Sequence, residues 1–383
     1  IVVFHNDSPG YYEPLEAMSI GLGYDSVCRM PGLAPVYALI RAVFSQENTI
    51  LFIVFLQVIV GAMSVVALAS AAYRLIGTKL AHGIVFWVYA ISTFVSIWDH
   101  AALSDSFSIS FLVFGFYFLV KLKEDYKWYY AMLFGLFLTW SIFHRPAHII
   151  IFPVVFLFIL AIKGLNLKSL KNAISFSFIA ILPFIIVESL WVKYNHDKTG
   201  RIFFLQDKDE LCFATLASYH VAVRNLVIER GGDFKEWSKQ TELAWIMDGK
   251  AETKFNFRDD YFTNSYPQDS LIELKRFYTI SRLDSIPIEE RNIAKFRVEK
   301  LALAMSADYK ENRKFDYYFL SRLRQLQLLA FSGKVENLPL PSVANSNIFE
   351  LAVKVFYMLL LHSIVLFFLI GLFYALYCRN LDI

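Results

Sequence analysis

Long apolar runs dominate this chain and leave it little choice of fold. They lie at residues 49–73, 81–98, 106–120, 128–143, 147–163, 172–192 and 349–377. About 20 apolar residues are needed for a helix to cross the hydrocarbon core of a bilayer, and these runs reach or approach that length, 106–120 being the shortest. Within a bilayer every backbone polar group must be satisfied inside the segment, so such runs specify helices. Composition agrees: 19% of residues are charged and 57% hydrophobic, against roughly 25% charged in soluble domains. The opening "IVVFH" reads as the last turn of a further span before residue 6, which makes about eight spans. The expected fold class is an all-α polytopic membrane protein.

Lysine and arginine set the expected orientation, because they accumulate in cytoplasmic loops. Arg74 and Lys79 share one short loop, Lys121, Lys123 and Lys127 the next alternate one, and Lys163, Lys168 and Lys171 the one after. Arg379 follows the last span on the same side. The opposite face then comprises residues 6–48, 99–105, 144–146 and 193–348. Its short loops are poor in cations except for Arg29, Arg41 and Arg145, which therefore need individual reasons. The chain reads as an integral membrane protein, with residues 193–348 outside the cytoplasm.

Residues 195–347 carry 23 of the 37 basic and 22 of the 34 acidic side chains. That near-balance fits a folded, solvated domain better than a polybasic membrane patch. Helical periodicity is plain in "IEERNIAKFRVEKLALAMSADY" and "FDYYFLSRLRQLQLLAF", both amphipathic. Three segments result: 1–195 as a transmembrane module, 196–348 as a mainly helical polar domain, and 349–383 as a final transmembrane helix. A net charge of +3 gives no reason to expect a nucleic-acid partner. Cys28, Cys212 and Cys378 have no metal-motif spacing; Cys28 and Cys212 could pair across the outer face, and two free thiols are the simpler reading.

With that topology the outer loops can be read together. The first holds Asp7, Tyr11, Glu13 and Glu16, then "CRMPGLAPVYALIRAVF", whose prolines and apolar face fit a helix lying along the interface. The second, "SIWDHAALSDSF", holds Asp99, His100 and Asp105, and the third, "FHRPAH", holds His144, Arg145 and His148. Glu188 lies about one turn inside the boundary of its span. Ionisable groups at one membrane depth are costly to desolvate and often mark function. Arginine presents fixed donors to phosphate oxygens, and a nearby acid can take the proton of an attacking hydroxyl. Carboxylates also suit hard cations, so Asp7 or Glu13 with Asp99, His100 and Asp105 could hold a divalent cation. Each residue also has a plain reading. Asp7 in "NDSP" is a good helix cap, Arg29 could snorkel, and Glu188 could make an internal hydrogen bond.

The order "D…Y…E" at Asp7, Tyr11 and Glu13, then "R-x-P-G-x-x-P" from Arg29, "LSDSF" and "HRP", resembles the GT-C superfamily of polyprenyl-phosphate-sugar-dependent membrane glycosyltransferases. The likeness is to the bacterial branch of aminoarabinose transferases and protein O-mannosyltransferase-like proteins, and it covers roughly residues 1–195. It implies a GT-C-like helical bundle in the bacterial inner (plasma) membrane. The implied reaction is inverting and runs on the outer side, from a polyprenyl-phosphate-linked sugar to a glycan, lipid or protein acceptor. Asp7 would be the catalytic base, and Arg29, Arg145 and His144 would hold the donor phosphate. Asp105, Asp99, His100, Glu13, Tyr11 and Glu188 would orient the substrates. Many members carry a second acid directly after the first, where this chain has Ser8, which leaves the acceptor open. A lipid-linked glycan ligase or polymerase, a transporter or flippase, and a non-catalytic scaffold are the competing classes. The inverted repeats and broken midplane helices common in transporters are not evident in the sequence.

Overall fold

In the computed structural model the described residues are 8–21, 24, 30–92, 99, 103–156, 167–205, 218–233, 241–247, 255–283, 285–331 and 347–379. Asp7, Arg29, His100, Cys28 and Cys212 lie outside them. Every regular element among the described residues is helical. The chain divides into two compact units, one of Ile1–Lys208 with Asn337–Pro339, the other of Asp209–Glu336 with Leu340–Ile383.

The first unit begins with α1 (Ser8–Ser19) and α2 (Ala34–Arg41). Then come α3 (Gln46–Ile76), α4 (Lys79–Ala90), α5 (Asp105–Asp125) and α6 (Trp128–His144). A short helix, α7 (Pro146–Phe156), and the long α8 (Leu167–Thr199) complete it. The turns between neighbours are tight, and residue chemistry explains them. Gly77 closes α3 at φ 79°, where its N–H reaches the Tyr73 carbonyl at 2.7 Å; the lack of a Cβ makes this left-handed cap inexpensive. Thr78 then caps α4, its side chain accepting from the Ala81 N–H.

α5 and α6 form an antiparallel hairpin, α3 packs on α4 and α5, and α8 packs on α6. At Gly135 of α6 the backbone of α8 passes so close that a methyl group would overlap the Ala180 carbonyl oxygen. Small residues of this kind let membrane helices approach. Polar side chains are buried along the same contacts: Gln57 donates to the Leu103 carbonyl, and Ser108 and Ser141 bridge α5 to α6. An unpaired hydroxyl or amide is costly there, and these three side chains each donate to a carbonyl. At one end of the bundle Arg74 of α3 pairs with Glu124 of α5 at 2.7 Å. Asp105, at the start of α5, lies at the other end.

Four described helical segments are long and apolar enough to cross a membrane: Gln46–Ile76, Asp105–Asp125, Leu170–Thr199 and Ile348–Phe367. The expected spans at 81–98, 128–143 and 147–163 correspond to shorter described helices. α4 has 12 residues and α6 has 17, while residues 93–98 and 157–163 lie outside the described part. The long helices turn large apolar side chains outward, among them Leu51, Phe55 and Met63 on α3 and Ile174, Phe178 and Leu190 on α8. Such faces suit hydrocarbon, and the chain is accordingly a helical protein with membrane-spanning character.

The second unit holds α9 (Ser218–Glu229), α10 (Glu242–Met247), α11 (Gln268–Arg282), α12 (Ile288–Asn312), α13 (Ser321–Phe331) and α14 (Ile348–Arg379). α12 packs on both α9 and α11 around Val223, Leu226, Leu271, Leu274, Val298 and Met305. Arg230 is buried at the end of α9. Its guanidinium donates to the carbonyls of Tyr261, Leu226 and Met305 and lies 4.5 Å from the Tyr309 ring. α14 touches α13, yet only 6% of its apolar stretch is buried.

Candidate functional site

Three of the sequence motifs meet in the first unit, and the backbone of Gly32 is the joint. Its N–H donates to the Phe143 carbonyl at 3.1 Å, and its carbonyl accepts from Trp140 Nε1 at 3.0 Å. The "PG" loop before α2 is thereby fixed to the last turn of α6, where helix carbonyls lack intrahelical donors. A Cβ at this position would lie 2.6 Å from the Phe143 oxygen, so the close approach needs glycine.

The end of α6 also meets the start of α5. Arg145 Nη2 pairs with Asp105 Oδ1. Asp105 opens α5, where the helix dipole favours a carboxylate. Its side chain is 13% exposed and that of Arg145 is 47% exposed. Oδ2 of Asp105 is buried without a hydrogen-bond partner among the described residues. The pair thus keeps one buried acceptor, while Arg145, with five N–H donors in all, turns half its surface outward. One turn further in, Ser141 Oγ donates to the Ser108 carbonyl at 2.7 Å and Ser108 Oγ to the Ser141 carbonyl at 3.0 Å. His148 Nδ1 lies 2.6 Å from Ser141 Oγ and 3.2 Å from Ser108 Oγ and joins this cluster.

His144 is 5% exposed and packs on Phe107 and Phe111 with ring centroids 5.7 and 5.8 Å apart. Its Nδ1 donates to the Trp140 carbonyl at 2.9 Å, and Nε2 is buried without a partner among the described residues. Asp99 accepts from Ser106 Oγ, and its carboxylate packs against Gly61 of α3, where a Cβ would come within 2.7 Å. Tyr11 is buried in the core with Tyr12, Leu15 and Tyr37, whereas Glu13 is exposed. Glu188 is 4% exposed; Oε1 accepts from the Leu205 N–H at 2.6 Å, and Oε2 is buried with no partner among the described residues.

Arg41, an unexplained cation of the outer face, and Glu16, which belongs to no motif, are joined in the structure. Arg41 donates to Glu16 through Nη2 at 2.9 Å and Nε at 3.1 Å, and the Tyr37 hydroxyl donates to the same carboxylate. The Arg41 bonds hold the Glu16 carboxyl below its ordinary range, the Tyr37 bond adds to this, and partial burial opposes both. The two residues stand 25 positions apart with no motif between them, so no local signal announces the pair. Ser106, Ser108, Ser141 and Gln57 are equally silent in the sequence, because single polar residues inside apolar runs carry no periodic signature.

An apolar groove of about 440 Å³ runs beside the joint. Pro31, Gly32 and Pro35 line one side, Trp140 and Phe143 of α6 another, and Pro183 and Trp191 of α8 the third. Its size falls within that of small-molecule sites. Among the described residues no group of three or more His, Cys, Asp or Glu side chains is placed to hold a metal ion. The chain matches no protein-family model, and no curated protein matches it at a significant level.

Proposed function

We propose that this chain is an inverting membrane glycosyltransferase that moves a sugar from a polyprenyl-phosphate donor to an acceptor hydroxyl. One observation carries the reading: the "PG", "LSDSF" and "HRP" segments converge around Gly32, Asp105 and Arg145, beside an apolar groove lined by the same loop. That combination suits an amphiphile with an anionic headgroup. The groove takes the isoprenoid chain, and the outward half of Arg145 meets the phosphate. Asp105 holds the guanidinium in place and offers Oδ2 to a sugar or acceptor hydroxyl. His144 and Trp140 brace the loop.

In the proposed reaction the acceptor oxygen attacks the anomeric carbon from the face opposite the phosphate. A carboxylate, assigned to Asp7 by the resemblance, takes the hydroxyl proton. The bond from the anomeric carbon to the phosphate oxygen breaks with its electron pair going to oxygen, and the polyprenyl phosphate leaves. Arg145 stabilises the charge that gathers there. The acceptor is a glycan, lipid or protein, and the reaction face is the outer side of a bacterial inner membrane, with residues 193–348 on that side.

The test is sugar transfer in proteoliposomes supplied with a polyprenyl-phosphate sugar. Asp7→Asn should fold and lose transfer, and Arg145→Ala should weaken donor binding by about tenfold or more. Near-normal turnover of Asp7→Asn would remove the base assignment. Movement of the lipid donor across the bilayer without transfer would favour a flippase, and release of a diphosphate carrier would favour a ligase or polymerase.

A further inference from the structure

A second hollow, separate from the Arg145 site, lies where residues 201–205 fold back along α8. It measures about 440 Å³ and is walled by Phe184, Ile185, Val192, Ile202 and Phe204, with Glu188 in its lining. The fold-back is fixed at both polar atoms of one residue: the Leu205 N–H donates to Glu188 Oε1, and the Leu205 carbonyl accepts from Trp191 Nε1 at 2.7 Å. Glu188 Oε2 is left as a buried acceptor, unpartnered among the described residues and surrounded by apolar walls. A carboxylate oxygen so placed calls for a donor, best a cationic one.

The mouth of the hollow has the opposite character. Lys193 and His196 line it, both exposed. They share a single acid, Asp197, which accepts from Lys193 at 2.6 Å and lies 3.9 Å from the His196 ring. Lys193 follows Glu188 by five residues, about 7.5 Å along the helix axis, a gap its flexible stem can shorten. The order is therefore an acid within, basic groups at the rim, and apolar surface around both.

We infer that this hollow binds an amphiphile whose headgroup joins a primary ammonium to a phosphate, as in a phosphoethanolamine lipid. The ammonium reaches Glu188 Oε2 and the phosphate meets Lys193 and His196. A choline headgroup has no N–H to donate, and a glycerol headgroup has no cation, so neither satisfies both ends. The inference does not rest on the glycosyltransferase reading, and its test measures lipid retention instead of sugar transfer.

The experiment is native mass spectrometry of the full chain in detergent, with dioleoyl phosphatidylethanolamine, phosphatidylcholine and phosphatidylglycerol in competition. Ethanolamine lipid should be retained about tenfold over either competitor, and Glu188→Gln should abolish that preference, the scale expected for a charge-assisted hydrogen bond. Ser189→Trp, which fills the hollow from an exposed position and leaves Glu188 intact, should displace the lipid without lowering the thermal midpoint. Equal retention of choline and ethanolamine lipids by the parent chain would overturn the inference. So would a preference that survives either substitution.

Discussion

Replacing Gly32 by alanine tests whether the "PG" loop is held by α6 or only rests on it. The added methyl would lie 2.6 Å from the Phe143 carbonyl oxygen and 2.7 Å from its carbon. These are backbone atoms of a helix terminus, so no rotamer change relieves the overlap and the loop has to move. Overpacking of this kind costs about 1–3 kcal/mol. Movement also breaks the bonds to the Phe143 carbonyl and from Trp140 Nε1, each worth about 0.5–1.5 kcal/mol. The smaller entropy of an unfolded alanine returns about 0.4–1 kcal/mol. The expected net loss is about 3 kcal/mol, measured by denaturant unfolding in detergent. Trp140→Phe removes one hydrogen bond and keeps most of the packing, so it should cost about 1 kcal/mol. A Gly32→Ala protein within about 0.5 kcal/mol of the parent, the range of neutral surface changes, would refute the clamp and with it the convergence of the two motifs.

Other substitutions probe the rest of the frame. Gly135→Ala should destabilise by about 1–3 kcal/mol because the methyl would overlap the Ala180 carbonyl, whereas Gly115→Ala, with its nearest contact at 3.5 Å, should be tolerated; thermal midpoints of the two variants compare them directly. Glu16 has a folded pKa below its ordinary 4.5, so its contribution is present above that value and fades as pH falls through the lower folded one. Glu16→Gln should flatten this acid limb of a stability-against-pH curve and cost up to about 1 kcal/mol near neutrality. Arg230→Met should destabilise the second unit by about 3–5 kcal/mol, since three buried carbonyls lose their donors. Limited proteolysis of residues 218–331 would detect that loss.

Much of the helical frame can be read from the chain because it follows from apolar length. The runs at 49–73, 106–120, 128–143, 172–192 and 349–377 correspond to Gln46–Ile76, Asp105–Asp125, Trp128–His144, Leu167–Thr199 and Ile348–Arg379. The residues by which these helices extend past the runs are mostly polar and still satisfy backbone bonds within the helix. The stretch "FDYYFLSRLRQLQLLAF" is helical too, with a π turn at Asp316–Leu320 leading into α13. Of the candidate site, the approach of Asp105 to Arg145 follows from both lying at one end of a hairpin. What could not be read is contact that depends on how helices cross. The Glu16–Arg41 pair, the exchange between Ser108 and Ser141, and the seat of Asp99 on Gly61 join residues far apart in sequence. Each is decided by which side of a helix faces which neighbour, and a run of uniformly apolar residues does not encode that choice.

The sparse burial of α14 has an evolutionary consequence. Phe349, Phe356, Leu359 and Phe367 all face away from the rest of the second unit, so no specific neighbour within it judges their shape. Greasiness and length are then the properties under selection, not identity. Exchanging these four among Leu, Ile, Phe and Val should leave the fold intact, and over generations this helix should drift faster than α6, whose Gly135 and Ser141 answer to particular atoms.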